Sequence, residues 1–153
     1  MKRIKVISAT PLTDMRLLIV FSNQVVKLFD VRQIVPDFPE YADLENEDLF
    51  SLVRVESGGY GVSWSKDLDA SEGELRENGV ELPLRAEDLT AFIRSNILST
   101  AEVAEILQCS RQNVDDLIRR KKLKPIKTYP KGNMFLKSDV ARRTETEGNL
   151  DAR

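Results

Sequence analysis

The chain has 153 residues, of which 41% are hydrophobic and 31% charged, and a single cysteine. That balance belongs to a folding, globular chain and not to a disordered or fibrous one, and one thiol excludes an intramolecular disulfide. No apolar run approaches the roughly 18 residues that a membrane span needs, and Pro11, Thr13 and Asp14 interrupt the early apolar residues before a secretory core could form, so a cytoplasmic protein with no membrane role is expected.

The overall charge of -2 conceals an asymmetry. Residues 1–95 carry 11 basic and 17 acidic side chains, a net -6, whereas residues 96–153 carry 12 and 8, a net +4. Only the second part therefore points to an anionic partner.

From Met1 to about Gly79 the apolar pattern has mostly period two. Ile4 and Val6 alternate with Arg3 and Lys5, and Leu17, Ile19 and Phe21 share a face, so strands are expected there. Ser22 and Asn23 predict a hairpin into Val25 to Phe29. Val31 to Phe50, with Pro36 and Pro39, reads as a loop with short helical turns. Strands follow at Leu52 to Glu56 and Gly61 to Trp64, with Gly58 and Gly59 turning the chain between them. Ser71 and Glu74 have capping-box spacing for a short helix, which Gly79 is expected to stop in a left-handed conformation. Asp67, Asp69, Glu72 and Glu74 could also be imagined as a cation site, but the helix start explains at least part of that cluster.

The stretch 81–85, with Pro83, is the expected linker. Beyond it the period becomes helical: Leu89, Phe92 and Ile93, then Val103, Ile106 and Leu107, then Val114, Leu117 and Ile118 predict three amphipathic helices around one core. Residues 144–153 are polar and read as a frayed tail.

Ser99 and Glu102 repeat the capping-box spacing, and the helix they start runs to about Leu107. Gln108 and Cys109 make a tight connection, and Ser110 is a good N-cap for the next helix. Two helices so joined cross steeply, and the second projects from the body. Arg111, Gln112 and Asn113 at its start can present bidentate hydrogen bonds, Arg to guanine and Gln or Asn to adenine. Arg119, Arg120, Lys121, Lys122, Lys124 and Lys127 form a basic run suited to phosphates. Asp115 and Asp116 oppose it in part, and either could accept from a cytosine amine. After Pro125, strands at Ile126 to Thr128 and Asn133 to Leu136 form a wing with Lys131 at its tip, and Ser138 starts a last helix. Ser110, Arg111, Gln112, Asn113, Asp116, Arg119, Arg120, Lys121, Lys124 and Lys131 are the candidate DNA contacts. Each has an ordinary explanation too, because a helix start is polar and a basic helix end complements the dipole.

These pieces, Leu98 to Ala104, Cys109 to Val114, Lys122 to Pro125, then Phe135 and Ser138 to Val140, resemble in order the winged helix-turn-helix of the excisionase and MerR families. Two positions depart from the pattern, since Gln108 and Lys122 stand where those families usually have glycine. A left-handed turn at Lys122 would cost roughly 1 kcal/mol relative to glycine. Residues Lys5 to Gly79 resemble another family, the domain of unknown function 2442, through Leu17 to Phe21, Val26 to Asp30, Phe50 to Val55, Gly61 to Asp69 with Trp64, Glu74-Leu75 and Gly79. Its members are often encoded beside toxin-antitoxin genes, which implies a regulator that senses or binds a protein partner.

The expectation is an α+β chain. A small N-terminal mixed αβ domain with antiparallel strands (residues 1–80) precedes the linker, and a mostly helical winged helix-turn-helix domain (residues 86–143) follows it. Its expected role is sequence-specific binding of double-stranded DNA in transcription regulation, with a homodimer or protein partner held through the N-terminal domain. The rival reading is an antitoxin-like interaction module whose helix-turn-helix is degenerate. With no histidine, no phosphate-cradling glycine loop and no nucleophile elbow, neither catalysis nor a cofactor or metal is expected. Cys109 is expected to be buried in the turn, and Trp64 and Tyr60 to be core aromatics.

Overall fold

In a computed structural model that describes residues 2–151, with side-chain burial described through Thr144, the chain has the α+β fold expected. It divides into two compact units, residues 1–89 and 90–153.

In the first unit, β1 (Val6–Pro11), β2 (Arg16–Phe21) and β3 (Val25–Asp30) form an antiparallel meander. Alternation along β2 buries Leu17, Ile19 and Phe21, as period two requires. The β2–β3 hairpin turns at Ser22 to Gln24, where Gln24 adopts φ 73° and the Asn23 side chain accepts from the Val25 amide at 3.2 Å. The preceding β1–β2 turn passes through left-handed Asp14 (φ 60°) and Met15 (φ 56°), without glycine.

Short 3₁₀ turns at Val31–Gln33 and Pro39–Glu45 lead to α1 (Glu47–Phe50). A small antiparallel sheet of β4 (Arg54–Val55), β5 (Gly61–Ser63) and β6 (Asp69–Ser71) follows, with Gly58 and Gly59 at positive φ in the connection. Its Val62 and Ala70 pack with Leu44, Phe50, Trp64 and Leu75 against the buried residues of the larger sheet. Trp64 is core, stacked on Phe50 at 5.8 Å with its Nε1 donating to the Phe50 carbonyl at 3.1 Å. Tyr60 is not core: it is 51% exposed beneath the Arg3 guanidinium.

Helix α2 (Glu72–Asn78) starts with the complete Ser71–Glu74 capping box, and Glu72 pairs with Arg76 at 2.7 Å. Gly79 stops α2 differently from expectation: its φ of -74° is ordinary, and glycine is needed because a Cβ there would lie 2.5 Å from the Leu75 carbonyl oxygen.

The expected linker is a strand. Residues 80–85 form β7 (Val80–Arg85), which pairs antiparallel with β3 as the fourth strand of the larger sheet. Pro83 is tolerated because β7 is an edge strand. Then α3 (Ala86–Asn96) forms as predicted but buries no residue, and Phe92 and Ile93 are 54% and 55% exposed. Its apolar stripe is not part of the helical core, contrary to expectation.

The second unit holds β8 (Ile97–Ser99), α4 (Thr100–Ile106), α5 (Arg111–Arg119), β9 (Lys127–Tyr129), β10 (Gly132–Leu136) and α6 (Lys137–Asp151). The strands order β8-β10-β9, antiparallel throughout. Leu98, Val103, Ala104, Val114, Leu123, Phe135 and Val140 form its core. Ile106, predicted on the buried stripe, is 45% exposed, and Ala104 takes its place. The frayed tail expected from Thr144 is helical as far as Asp151, and Ala152 and Arg153 lie outside the described residues.

Candidate nucleic-acid interface

The capping box of α4 is complete: Ser99 Oγ accepts from the Glu102 amide at 3.2 Å and Glu102 Oε1 from the Ser99 amide at 3.1 Å. At the other end, Gln108 adopts φ 53°, its amide donates to the Glu105 carbonyl, and the Cys109 amide donates to the Ala104 carbonyl. These two bonds around a left-handed residue are a Schellman motif, which satisfies carbonyls the helix end would leave free. The side chain at the glycine-preferring position is thus tolerated at a strain of about 1 kcal/mol. Cys109 is half-buried against the core and not sealed within it.

Ser110 caps α5 by accepting from the Asn113 amide at 3.1 Å. Val114, Leu117 and Ile118 point inward, so the 3.6-residue period puts Gln112, Asp115 and Arg119 on the opposite, outward ridge, with Asp116 half-buried beside it. Arg111 and Asn113 flank that ridge, and all three residues at the helix start are exposed. Asn113 also borders a hollow with Leu107, Cys109 and Asp116.

Asp116 is engaged by its own helix. Its Oδ2 lies 2.9 Å from Arg120 Nε and its Oδ1 3.3 Å from Arg119 Nη2. Both arginine side chains remain 69–75% exposed. Asp116 therefore orients the two arginines, an arrangement that the i,i+3 and i,i+4 spacing of these three residues on a helix could have revealed.

Helix α5 ends in a second Schellman motif. The left-handed residue is Lys121 (φ 57°), not Lys122 as the family pattern suggested. The Lys121 amide donates to the Ile118 carbonyl and the Lys122 amide to the Leu117 carbonyl at 2.8 Å. The turn comes one residue early because the reversal must deliver Leu123, 4% exposed, into the core.

In the wing, Tyr129 and Gly132 pair across the two-residue turn Pro130-Lys131, which leaves Lys131 exposed at the tip. Phe135 and Leu98 pair on the inner face. The outer face carries Lys127, Tyr129 and Met134; Lys127 Nζ lies 5.5 Å from the Tyr129 ring, and the Tyr129 hydroxyl donates to Met134 Sδ at 3.2 Å. Tyr129 was missed as a surface residue, although strand alternation with Lys127 could have revealed it. Lys121, Lys122, Lys124, Lys127 and Lys131 are all exposed.

Among the described residues no group of three potential metal ligands occurs, and no helix is long and apolar enough to cross a membrane. None of the curated proteins matches the chain. A crystal structure of NE0471 from Nitrosomonas europaea, named as a conjectural DNA-binding protein, is 24% identical over 74% of each chain, with a TM-score of 0.39. Residues 97–147, from β8 through the two helices and the wing into α6, match the family described as a helix-turn-helix domain.

Proposed function

We propose that the chain is a sequence-specific regulator of transcription that places α5 in the major groove of duplex DNA and the wing, led by Lys131, on the flanking backbone. The observation that carries this reading is the start of α5, where Arg111, Gln112 and Asn113 are exposed within a family-matched helix-turn-helix. Arg111 and Gln112 read base edges, and Lys121, Lys124 and Lys131 neutralise phosphates. Ser110 holds the helix start, and Asp116 holds Arg119 and Arg120 toward the backbone. The N-terminal unit, in the reading from its resemblance to the domain of unknown function 2442, supplies contacts to a second copy or a protein partner. This is a binding role exercised in the cytoplasm, without catalysis.

Fluorescence anisotropy with a random-sequence duplex pool at several salt concentrations, followed by selection of the bound fraction, tests the reading. An enriched motif and salt-sensitive binding are expected, with Arg111→Ala relaxing the preference at one position and costing about 1–3 kcal/mol. Lys131→Ala lowers the salt slope by about one without changing the preference. No binding at low salt would overturn the proposal in favour of an interaction module, the reading that the acidic first 95 residues support.

A further inference from the structure

A cavity of about 460 Å³ opens in the first unit between the β1–β2 turn and the segment leading into α1. Its floor is apolar: Met15, Leu44 and Phe50 line it, and each is less than 8% exposed over the whole residue. Asp14, Glu45 and Glu47 stand at its exposed rim. The volume lies within the range of small-ligand sites, about 300–1,000 Å³, and an apolar floor with a few polar groups at one side is their usual constitution.

The charge at the rim is one-sided. Arg32 also lines the cavity, but Asp30 holds it through a bidentate pair, Nε to Oδ1 at 2.9 Å and Nη2 to Oδ2 at 2.7 Å. Arg16, close by, is spent on the Thr13 carbonyl and hydroxyl at 3.0 and 3.2 Å. Asp14 adds to the field on Arg32, yet among the described residues neither it nor Glu45 nor Glu47 forms an ion pair. The carboxylates of Asp14, Asp30, Glu45 and Glu47 thus outnumber the two guanidinium groups.

We infer that this cavity is a binding site for a small organic monocation, an aliphatic or aromatic body bearing one ammonium group. The body displaces water from Met15, Leu44 and Phe50, and the ammonium donates to the carboxylates of Glu45 and Glu47, which form no ion pair among the described residues. The flexible thioether of Met15 adapts the floor to bodies of different shape. A carboxylate of the same size meets repulsion at the rim, and a neutral alcohol gains only the floor.

The test uses the full chain with three probes of six carbon atoms each: hexylammonium, 1-hexanol and hexanoate. Binding is followed by the emission of Trp64, the one tryptophan, which stacks on Phe50 of the floor, and by calorimetry. Saturable binding of hexylammonium is expected, at least five-fold tighter than that of hexanol, with no saturation by hexanoate. The double variant Glu45→Gln/Glu47→Gln is expected to remove most of the preference for the cation while leaving hexanol binding in place. Equal affinity for all three probes, or no saturation by hexylammonium, would overturn the site. The comparison of probes on the unaltered chain decides the matter even if the double variant does not fold.

Discussion

One carboxylate, Asp116, sits 2.9 Å from Arg120 and 3.3 Å from Arg119, and so divides its charge between two arginines at the C-terminal end of α5. Exposed pairs of this kind add little stability, about 0.5 kcal/mol, but they decide where the guanidinium groups point and how much positive charge faces outward. Asp116→Ala is expected to raise affinity for random duplex three- to ten-fold at low salt while narrowing the gap between specific and random sites. Anisotropy titrations on a selected and a scrambled duplex check this. Unchanged random-sequence affinity would mean that the arginines do not meet DNA.

Both helices of the helix-turn-helix end on side chains in left-handed backbone, Gln108 and Lys121. Gln108→Gly should relieve strain of about 1 kcal/mol, offset in part by the added freedom of the unfolded chain, for a net gain of roughly 0.5 kcal/mol in urea unfolding. Gln108→Val should cost more than about 1 kcal/mol, because a β-branched side chain is poorly accommodated there. If the valine variant were as stable as the glycine variant, the left-handed turn at Gln108 would be wrong.

Phe135 is fully buried beside Leu98, in a core of seven buried residues among the described ones. Phe135→Ala should cost about 3–5 kcal/mol, enough to unfold a unit with so small a core and abolish DNA binding. The first unit has its own buried cluster, so the emission of Trp64 should stay native. Circular dichroism and tryptophan fluorescence on one sample read the two outcomes, and joint loss of both signals would show that the units fold as one.

Asp30 is held below the ordinary carboxylate range, chiefly by the hydrogen-bonded Arg32 guanidinium. A depressed folded value means that the contribution is fully present above the unfolded value, about 3.9, and is lost as pH falls through the lower folded value. With the Asp30 side chain 40% exposed, the effect should be roughly 0.5 kcal/mol. The stability difference between the wild type and Asp30→Asn should shrink as pH falls below about 4, and a difference that stays constant on acidification would refute the assignment.

The sequence by itself determined the elements whose signals are local. Capping boxes at Ser71–Glu74 and Ser99–Glu102 act within one turn, and alternation at Leu17, Ile19 and Phe21 needs only a strand with one buried face. The order of helix, turn, helix and wing was legible for the same reason, since each piece carries its own cap, period or turn. What only tertiary structure decided depends on partners distant in the chain. Residues 80–85 look like a linker because their signal is a proline and a short apolar run, and they become a strand through hydrogen bonds to β3, more than fifty residues earlier. The stripe on α3 has helical period, but period states only that one face is apolar, and not whether the fold covers it. The left-handed turn moved from Lys122 to Lys121 because its position is set by where Leu123 must enter the core. Residue types could nominate the arginines and lysines as candidate DNA contacts, whereas which of two basic neighbours Asp116 holds more closely, Arg120 at 2.9 Å or Arg119 at 3.3 Å, depended on how the folded helix end orients its side chains.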